Sequence, residues 1–193
     1  DRSVRVSSLP GYAEGEFSVQ DAGAQAAAGL LTPEDGERVL DACAAPGGKA
    51  AHILECADVA LTALEIDSAR AERMGENFER LGLKGRIVVG DATNCEAWAG
   101  NERFDRILVD VPCSATGVLR RHPDIRWQRK PDDIAANAAL QHRILDALWP
   151  LLAPGGLLVY ASCSILHTEN RDQARKFIAR HADAHPLETS LDE

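Results

Sequence analysis

The chain holds 193 residues, 45% of them hydrophobic, which suits one domain with a full core. No apolar run approaches the roughly 18–20 residues of a membrane-spanning helix, and a net charge of −9 excludes a wholly basic nucleic-acid binder while leaving room for a local basic patch. The five cysteines (Cys43, Cys56, Cys95, Cys113 and Cys163) are odd in number and spaced like neither a disulfide scaffold nor a zinc ribbon, so reduced thiols in a cytoplasmic protein without metal are expected. The first residue is Asp1 rather than Met, which reads as a piece of a longer protein.

Residues 1–19 lack periodicity and contain Pro10, Gly11 and Gly15, which predicts an extended lead-in; Gln20 to Leu31 reads as a short alanine-rich helix. From Arg38 strands and helices alternate, the pattern of a parallel sheet covered on both faces. The expected elements are a strand over Arg38–Cys43, a helix over Gly48–Cys56 and a strand over Ala60–Glu65. Asp67 is placed to cap a helix in which Ala71, Met74, Phe78 and Leu81 recur at helical spacing, with Gly82 stopping it. Strands follow at Arg86–Val89 and Asp105–Val111, then a long loop from Pro112 to Pro131 and a helix from Asp132 to Trp149. Pro154-Gly155-Gly156 predicts a turn into a fifth strand, Leu157–Ser162, and a last helix spans about Thr168 to His181. No repeat and no low-complexity tract interrupts this order.

In an open α/β sheet the ligand crevice lies at the carboxyl ends of the strands. Cys43-Ala44-Ala45-Pro46-Gly47-Gly48-Lys49 follows the first strand there. Its glycines permit close backbone approach, and the helix behind it offers free N–H groups. It is neither G-x-G-x-x-G nor a phosphate loop. Glu65 ends the second strand, where a carboxylate can accept from both ribose hydroxyls of a nucleoside cofactor; a surface acid is the plainer alternative. Asp91 ends the third strand and can accept from an adenine amino group, or it merely makes a Gly-Asp turn. Cys113 and Cys163 close the fourth and fifth strands, and each reads either as sulfur chemistry on a bound substrate or as a small apolar residue at a strand end.

Three segments now combine: Asp41-Ala-Cys-Ala-Ala-Pro-Gly-Gly-Lys49, Val109-Asp-Val-Pro-Cys-Ser-Ala-Thr-Gly117 and Tyr160-Ala-Ser-Cys-Ser164. In this order they resemble the RNA (cytosine-5) methyltransferases that use S-adenosylmethionine. Gly117-Val-Leu-Arg-Arg-His-Pro-Asp-Ile-Arg-Trp127 narrows the likeness to the bacterial RsmB/Sun/Fmu family, over roughly residues 10 to 190. The resemblance implies a Rossmann-like α/β methyltransferase fold. It implies a 1–31 lead-in and a catalytic domain over 32–193, truncated at both ends, lacking the N-terminal helical RNA-binding domain and the C-terminal antiparallel strand pair. A five-stranded parallel sheet ordered 3-2-1-4-5 is then expected, its fifth strand partly uncovered. Cys43 to Lys49 would surround the methionine part of S-adenosylmethionine, Glu65 the ribose, Asp91 the adenine, and Asp110 the junction of cofactor and cytosine.

Cytosine C5 is a poor nucleophile until a thiolate adds at C6, which splits one hard step into two easier ones. By the resemblance Cys163 is the attacking thiol, Cys113 helps resolve the adduct, and Asp110 supports the ring as charge develops. A free thiol ionises near ~8.5, so activation is required, and Lys49 is the nearest cation in the motifs. Cys56 and Cys95 match no catalytic motif. Arg120, Arg121, Arg126, Arg129 and Lys130 face a single acid, Asp124, in one stretch, and His122 and Trp127 lie between them to stack on a base or pack the loop. A monomer acting on 16S ribosomal RNA, with a flipped or single-stranded cytosine, is the reading. A small-molecule methyltransferase, a nucleotide-dependent oxidoreductase and a non-catalytic RNA-binding module are the rivals.

Overall fold

Five short runs of apolar and β-branched residues make the sheet at the centre of the protein, a computed structural model that describes residues 4–188. They are β1 (Arg38–Ala42), β2 (Ala60–Glu65), β3 (Arg86–Val89), β4 (Phe104–Asp110) and β5 (Leu152–Ala161). After its first residue every position of β1 and of β2 is buried, as strands covered on both faces require. All pairings are parallel and the order is β3-β2-β1-β4-β5, as the family resemblance implies.

Alternation along the strands sorts the core into two layers. On one face Val39, Leu61, Ala63 and Leu108 pack against helices α1 (Ala22–Leu31), α2 (Gly48–Cys56) and α3 (Ser68–Arg80), through Ala28, Leu31, Ile53, Met74 and Phe78. On the other, Leu40, Leu64, Ile107 and Val109 meet Ile144 and Leu148 of the long helix over Pro131–Leu148. That helix is α5, since a single helical turn, α4 (Ile125–Gln128), precedes it; α6 (Arg171–Arg180) then sets Phe177 against Leu145. Asp67 caps α3 by accepting from the N–H groups of Ala69 and Arg70.

Several element ends differ from the sequence reading, each for a local reason. The lead-in is not extended: a 3₁₀ turn at Val6–Ser8 starts it, and Arg80 holds it down. The guanidinium lies 4.0 Å from the centre of the Tyr12 ring and donates to the carbonyls of Tyr12 and Phe17. α1 begins at Ala22 because Asp21 accepts from the Gly23 N–H and caps it. β1 stops at Ala42, since Cys43 already has a left-handed backbone. β4 runs Phe104–Asp110, one residue earlier than expected, because Pro112 withholds an N–H just beyond. The Pro112–Pro131 loop contains a 3₁₀ turn, Thr116–Val118, and α4. α5 starts at Pro131, which needs no donor at a helix's first position. The Pro154–Gly156 turn lies inside a longer β5: pairing slips between Phe104 and Arg106, and Gly155 takes a positive φ of 81° to accommodate the slip. The last helix breaks at Asn170 into a 3₁₀ turn, His167–Glu169, and α6. No residue of β5 or of β3 is buried, whereas β1 and β2 are sealed after their first residues, so both edges of the described sheet, the fifth strand among them, are partly uncovered.

Candidate active site

The strand order reverses between β1 and β4, which opens a crevice above their carboxyl ends. Lys49, at the start of α2, reaches across it: its ammonium donates to Asp110 Oδ2 at 2.7 Å, with both side chains about a quarter exposed or so (20% and 32%). The loop from Cys43 to Lys49 rises on the β1 side. The Ala44 N–H donates to the Leu64 carbonyl, Gly47 to Ala44, and Arg70 to the Ala45 carbonyl. Gly47 has φ +93° and a Cβ there would stand 2.7 Å from Met74 Cγ, so packing alone demands glycine. At Gly48 a Cβ would meet nothing within 4 Å. No side chain caps α2, so its first N–H groups are available to a ligand in front of this open space.

Glu65 is 2% exposed and turned inward. It accepts from the N–H groups of Ala45 (3.2 Å) and Asp67 (3.1 Å) and from Arg70 (3.4 Å), tying the end of β2 to the loop. Asp91 is exposed; its Oδ1 accepts from Thr93 N and Oγ1. Asp41, in β1 two residues before Cys43, is fully buried with neither oxygen partnered. Burial first, and then the charge of Asp110, pushes its carboxyl up to about 8. Burial likewise pushes the Cys43 thiol up to about 12, so that sulfur is inert.

On the β4–β5 side the two cysteines meet. Cys113 follows β4, Cys163 follows β5, and their sulfurs are 3.3 Å apart, with either able to donate. The backbones are laced together there: Val111 N–H donates to the Ala161 carbonyl and Gly117 N–H to that of Cys163. A Cβ on Gly117 would lie 2.6 Å from the Cys163 oxygen, so only glycine admits this approach. The Cys113 thiol is brought down to about 6, chiefly because the Cys163 S–H donates to it, with help from the Ala115 N–H and Ser162. Cys163 is pushed up, first by giving that hydrogen bond and then by burial. With one proton shared over 3.3 Å, the first ionisation belongs to the pair, and a proton shift across it makes either sulfur the thiolate. The hydrogen bond from the second thiol is thus the largest influence lowering the pKa of Cys113. The Lys49 ammonium is engaged with Asp110 instead.

Neither leftover cysteine joins the site: Cys56 is exposed at the end of α2, and Cys95 donates to the Ala92 and Ala147 carbonyls. The basic stretch flanks the crevice. Arg120, His122, Arg126 and Lys130 are exposed, Arg121 pairs with Asp21 at 2.7 Å, and Arg129 donates to the Ser114 carbonyl. Trp127 is 84% exposed, and Ile125 is the residue that anchors this loop in the core. Among the described residues no cluster of three or more His, Cys, Asp or Glu side chains is arranged for a metal ion, and no helix is long and apolar enough to cross a membrane.

The residues that sequence reasoning missed lie behind the thiols. Ser114 and Ser164, each the residue after a cysteine, are buried against the carboxylate of Glu169. The repeated Cys-Ser at two strand ends was a visible signal for the serines. Nothing in local spacing announces the glutamate, 55 residues from Ser114.

Residues 28–193 match the family model described as 16S rRNA methyltransferase RsmB/F. Curated proteins named ribosomal RNA small subunit methyltransferase B, from Serratia proteamaculans and Salmonella paratyphi B, are 54% and 55% identical over 95% of this chain. The chain spans 43% of the length of these relatives. Among solved structures, NSun6 from Pyrococcus horikoshii with SFG superposes with a TM-score of 0.85 at 30% identity, over 92% of this chain and 46% of that one. With a family model matched from residue 28 onward and relatives more than half identical across nearly the whole chain, the chain belongs to the 16S rRNA methyltransferase RsmB/F family.

Proposed function

We propose that this chain is the catalytic part of an enzyme that methylates C5 of a cytosine in 16S ribosomal RNA through a transient bond between Cys163 and C6. The observation that carries the proposal is the pair of sulfurs 3.3 Å apart at the crevice, one proton short of neutral near physiological pH. A lone structural cysteine needs no such partner.

The residues around the crevice fit S-adenosylmethionine. The space before Gly48, the uncapped start of α2 and the acids Glu65 and Asp91 at the ends of β2 and β3 supply acceptors and donors of the required kind. The relative solved with SFG, an S-adenosylmethionine analogue, supports the same reading. Cys43 to Lys49 would hold the methionine part. Glu65 would accept from the ribose by releasing Arg70 or the Asp67 N–H, and Asp91 keeps Oδ2 for the adenine amino group. When bound, S-adenosylmethionine supplies a methyl group on a sulfonium, which the activated C5 takes up, leaving a neutral thioether.

The protein's own part is proton and sulfur handling. The shared proton moves to Cys113, and the Cys163 thiolate adds to C6, giving C5 carbanion character. Asp110, held by Lys49, faces the ring as charge develops. Cys113 then gives up its proton to solvent and takes the C5 proton as the bond between Cys163 and C6 breaks. The thiol pair ends as it began, and one proton leaves per methyl transferred. The exposed Trp127 and the arginines beside it offer a stacking face and phosphate contacts for a strand whose cytosine is turned out.

The test uses the full-length protein with 16S ribosomal RNA. Cys113→Ala should accumulate an RNA–protein species that survives denaturant, and adding Cys163→Ala should abolish it while cofactor affinity holds. Methyl transfer by Cys163→Ala at the wild-type rate would refute the proposal.

A further inference from the structure

We infer that Glu169 is a positioning residue whose buried carboxylate clamps the two cysteine loops together and so sets the contact between the sulfurs of Cys113 and Cys163. The inference rests on the two-thiol reading above for its catalytic meaning. The clamp itself is a matter of geometry.

Glu169 ends the 3₁₀ turn before α6 and is 0% exposed. One carboxylate oxygen accepts from the Ser114 N–H at 2.8 Å and from Gln141 Nε2 at 3.4 Å. The other accepts from the hydroxyls of both Ser114 and Ser164. Those hydroxyls are themselves 3.2 Å apart. Each serine directly follows a cysteine, so one side chain grips the chain immediately after each thiol. Around it, Gln141 donates to the Pro112 carbonyl and the Tyr160 hydroxyl donates to the Glu169 carbonyl, which holds the clamp to α5 and β5.

Burying a carboxylate is costly unless every oxygen is satisfied, and an apolar residue would fill the same space more cheaply. Here burial would push the Glu169 carboxyl up, yet the bonds from Ser114, Ser164 and Gln141 together hold it below its usual range. It therefore stays charged, as an acceptor with two oxygens and no proton of its own. That forces both serine hydroxyls to point their protons at Glu169 and away from the sulfurs. The proton between the sulfurs then has no competing donor from the serines. Glu169 accepts no hydrogen bond from either sulfur, so it acts through the two serines and through Gln141, which also holds the Pro112 carbonyl.

The test is the pH dependence of thiol alkylation by iodoacetamide in the full-length protein, with thermal melting and S-adenosylmethionine calorimetry as checks on folding. The titratable groups facing the pair are Asp110 and Tyr160, and neither is altered in the variants. In the wild type the first thiol should ionise near 6. In Glu169→Ala the midpoint should rise toward the ordinary thiol range of ~8.5. Adduct formation on RNA carrying 5-fluorocytosine should fall roughly 10–100-fold at unchanged RNA affinity. Glu169→Gln should restore adduct formation in part, because its oxygen can keep the Ser114 N–H and its amide can hold the two hydroxyl oxygens, but it should not restore the midpoint, because the hydroxyl protons no longer point at residue 169. Ser164→Ala, which removes one strap and leaves the carboxylate in place, should show an intermediate midpoint and decides the matter where Glu169→Ala does not fold. A folded variant whose alkylation curve overlays the wild type overturns the clamp. Absence of any Cys163-dependent adduct in the wild type would instead overturn the two-thiol chemistry, and the alkylation midpoints, which need no RNA, still judge the clamp.

Discussion

Gly117→Ala should slow methyl transfer while leaving the cofactor site alone. The Gly117 N–H donates to the Cys163 carbonyl oxygen at 2.8 Å, and a Cβ on Gly117 would stand 2.6 Å from that oxygen and 3.3 Å from its carbon. Non-bonded carbon and oxygen need about 3.2 Å, so the two loops must part by roughly half an ångström. The obstacle is backbone and cannot swing aside as a long side chain would. Parting the loops carries the Cys163 sulfur away from Cys113, 3.3 Å distant. A misplacement of ~1 Å at a reacting centre costs on the order of 100-fold, so half of that on a logarithmic scale is about tenfold, or ~1.4 kcal/mol. The assay is single-turnover transfer of labelled methyl to 16S ribosomal RNA by the full-length variant, with cofactor affinity by calorimetry. A variant that keeps the wild-type rate would refute the idea that this contact sets the distance between the sulfurs.

Asp41→Asn should change how stability varies with pH. The folded protein holds the Asp41 proton up to about 8, whereas the unfolded chain releases it near 3.8. The stability tied to that proton is fully present below pH ~4 and is lost as pH rises through about 8. The urea midpoint of the wild type should therefore fall relative to Asp41→Asn between pH 5 and 8, and parallel curves would contradict the assignment. Replacing Arg120 and Arg126 together by alanine should weaken RNA binding more at low salt than at high salt, flattening the salt slope by about 1.4 for two single-strand phosphate contacts; an unchanged slope removes them from the interface. Trp127→Ala should cost ~1–3 kcal/mol of RNA affinity without altering cofactor affinity, as expected for a lost stacking partner.

Much of the architecture was legible because local and global signals agree. Residues that end strands in the sequence, Cys43, Glu65, Asp91, Asp110, Cys113 and Cys163, do cluster at one end of the sheet, because the parallel order sends every strand's carboxyl end the same way. Asp67 marked the start of α3 by the same capping physics that the structure displays. What escaped is what depends on tertiary approach. Pro154-Gly155-Gly156 reads as a turn, but pairing with β4 absorbs it as an irregularity within β5. Lys49 reads as a cation for the thiols, and the structure pairs its ammonium with Asp110 across the crevice. Arg80 captures the lead-in, which has no periodicity of its own, through a carbonyl and a ring face 68 residues away in sequence. Glu169 was invisible for the same reason: its partners Ser114, Ser164 and Gln141 come from three separate segments.

Mass-spectrometric mapping of the peptide that becomes linked to RNA carrying 5-fluorocytosine tests the central claim most directly. In the full-length protein with S-adenosylmethionine, the nucleotide should be found on Cys163. A nucleotide on Cys113, or methylated RNA released with no linked peptide at all, would contradict the account.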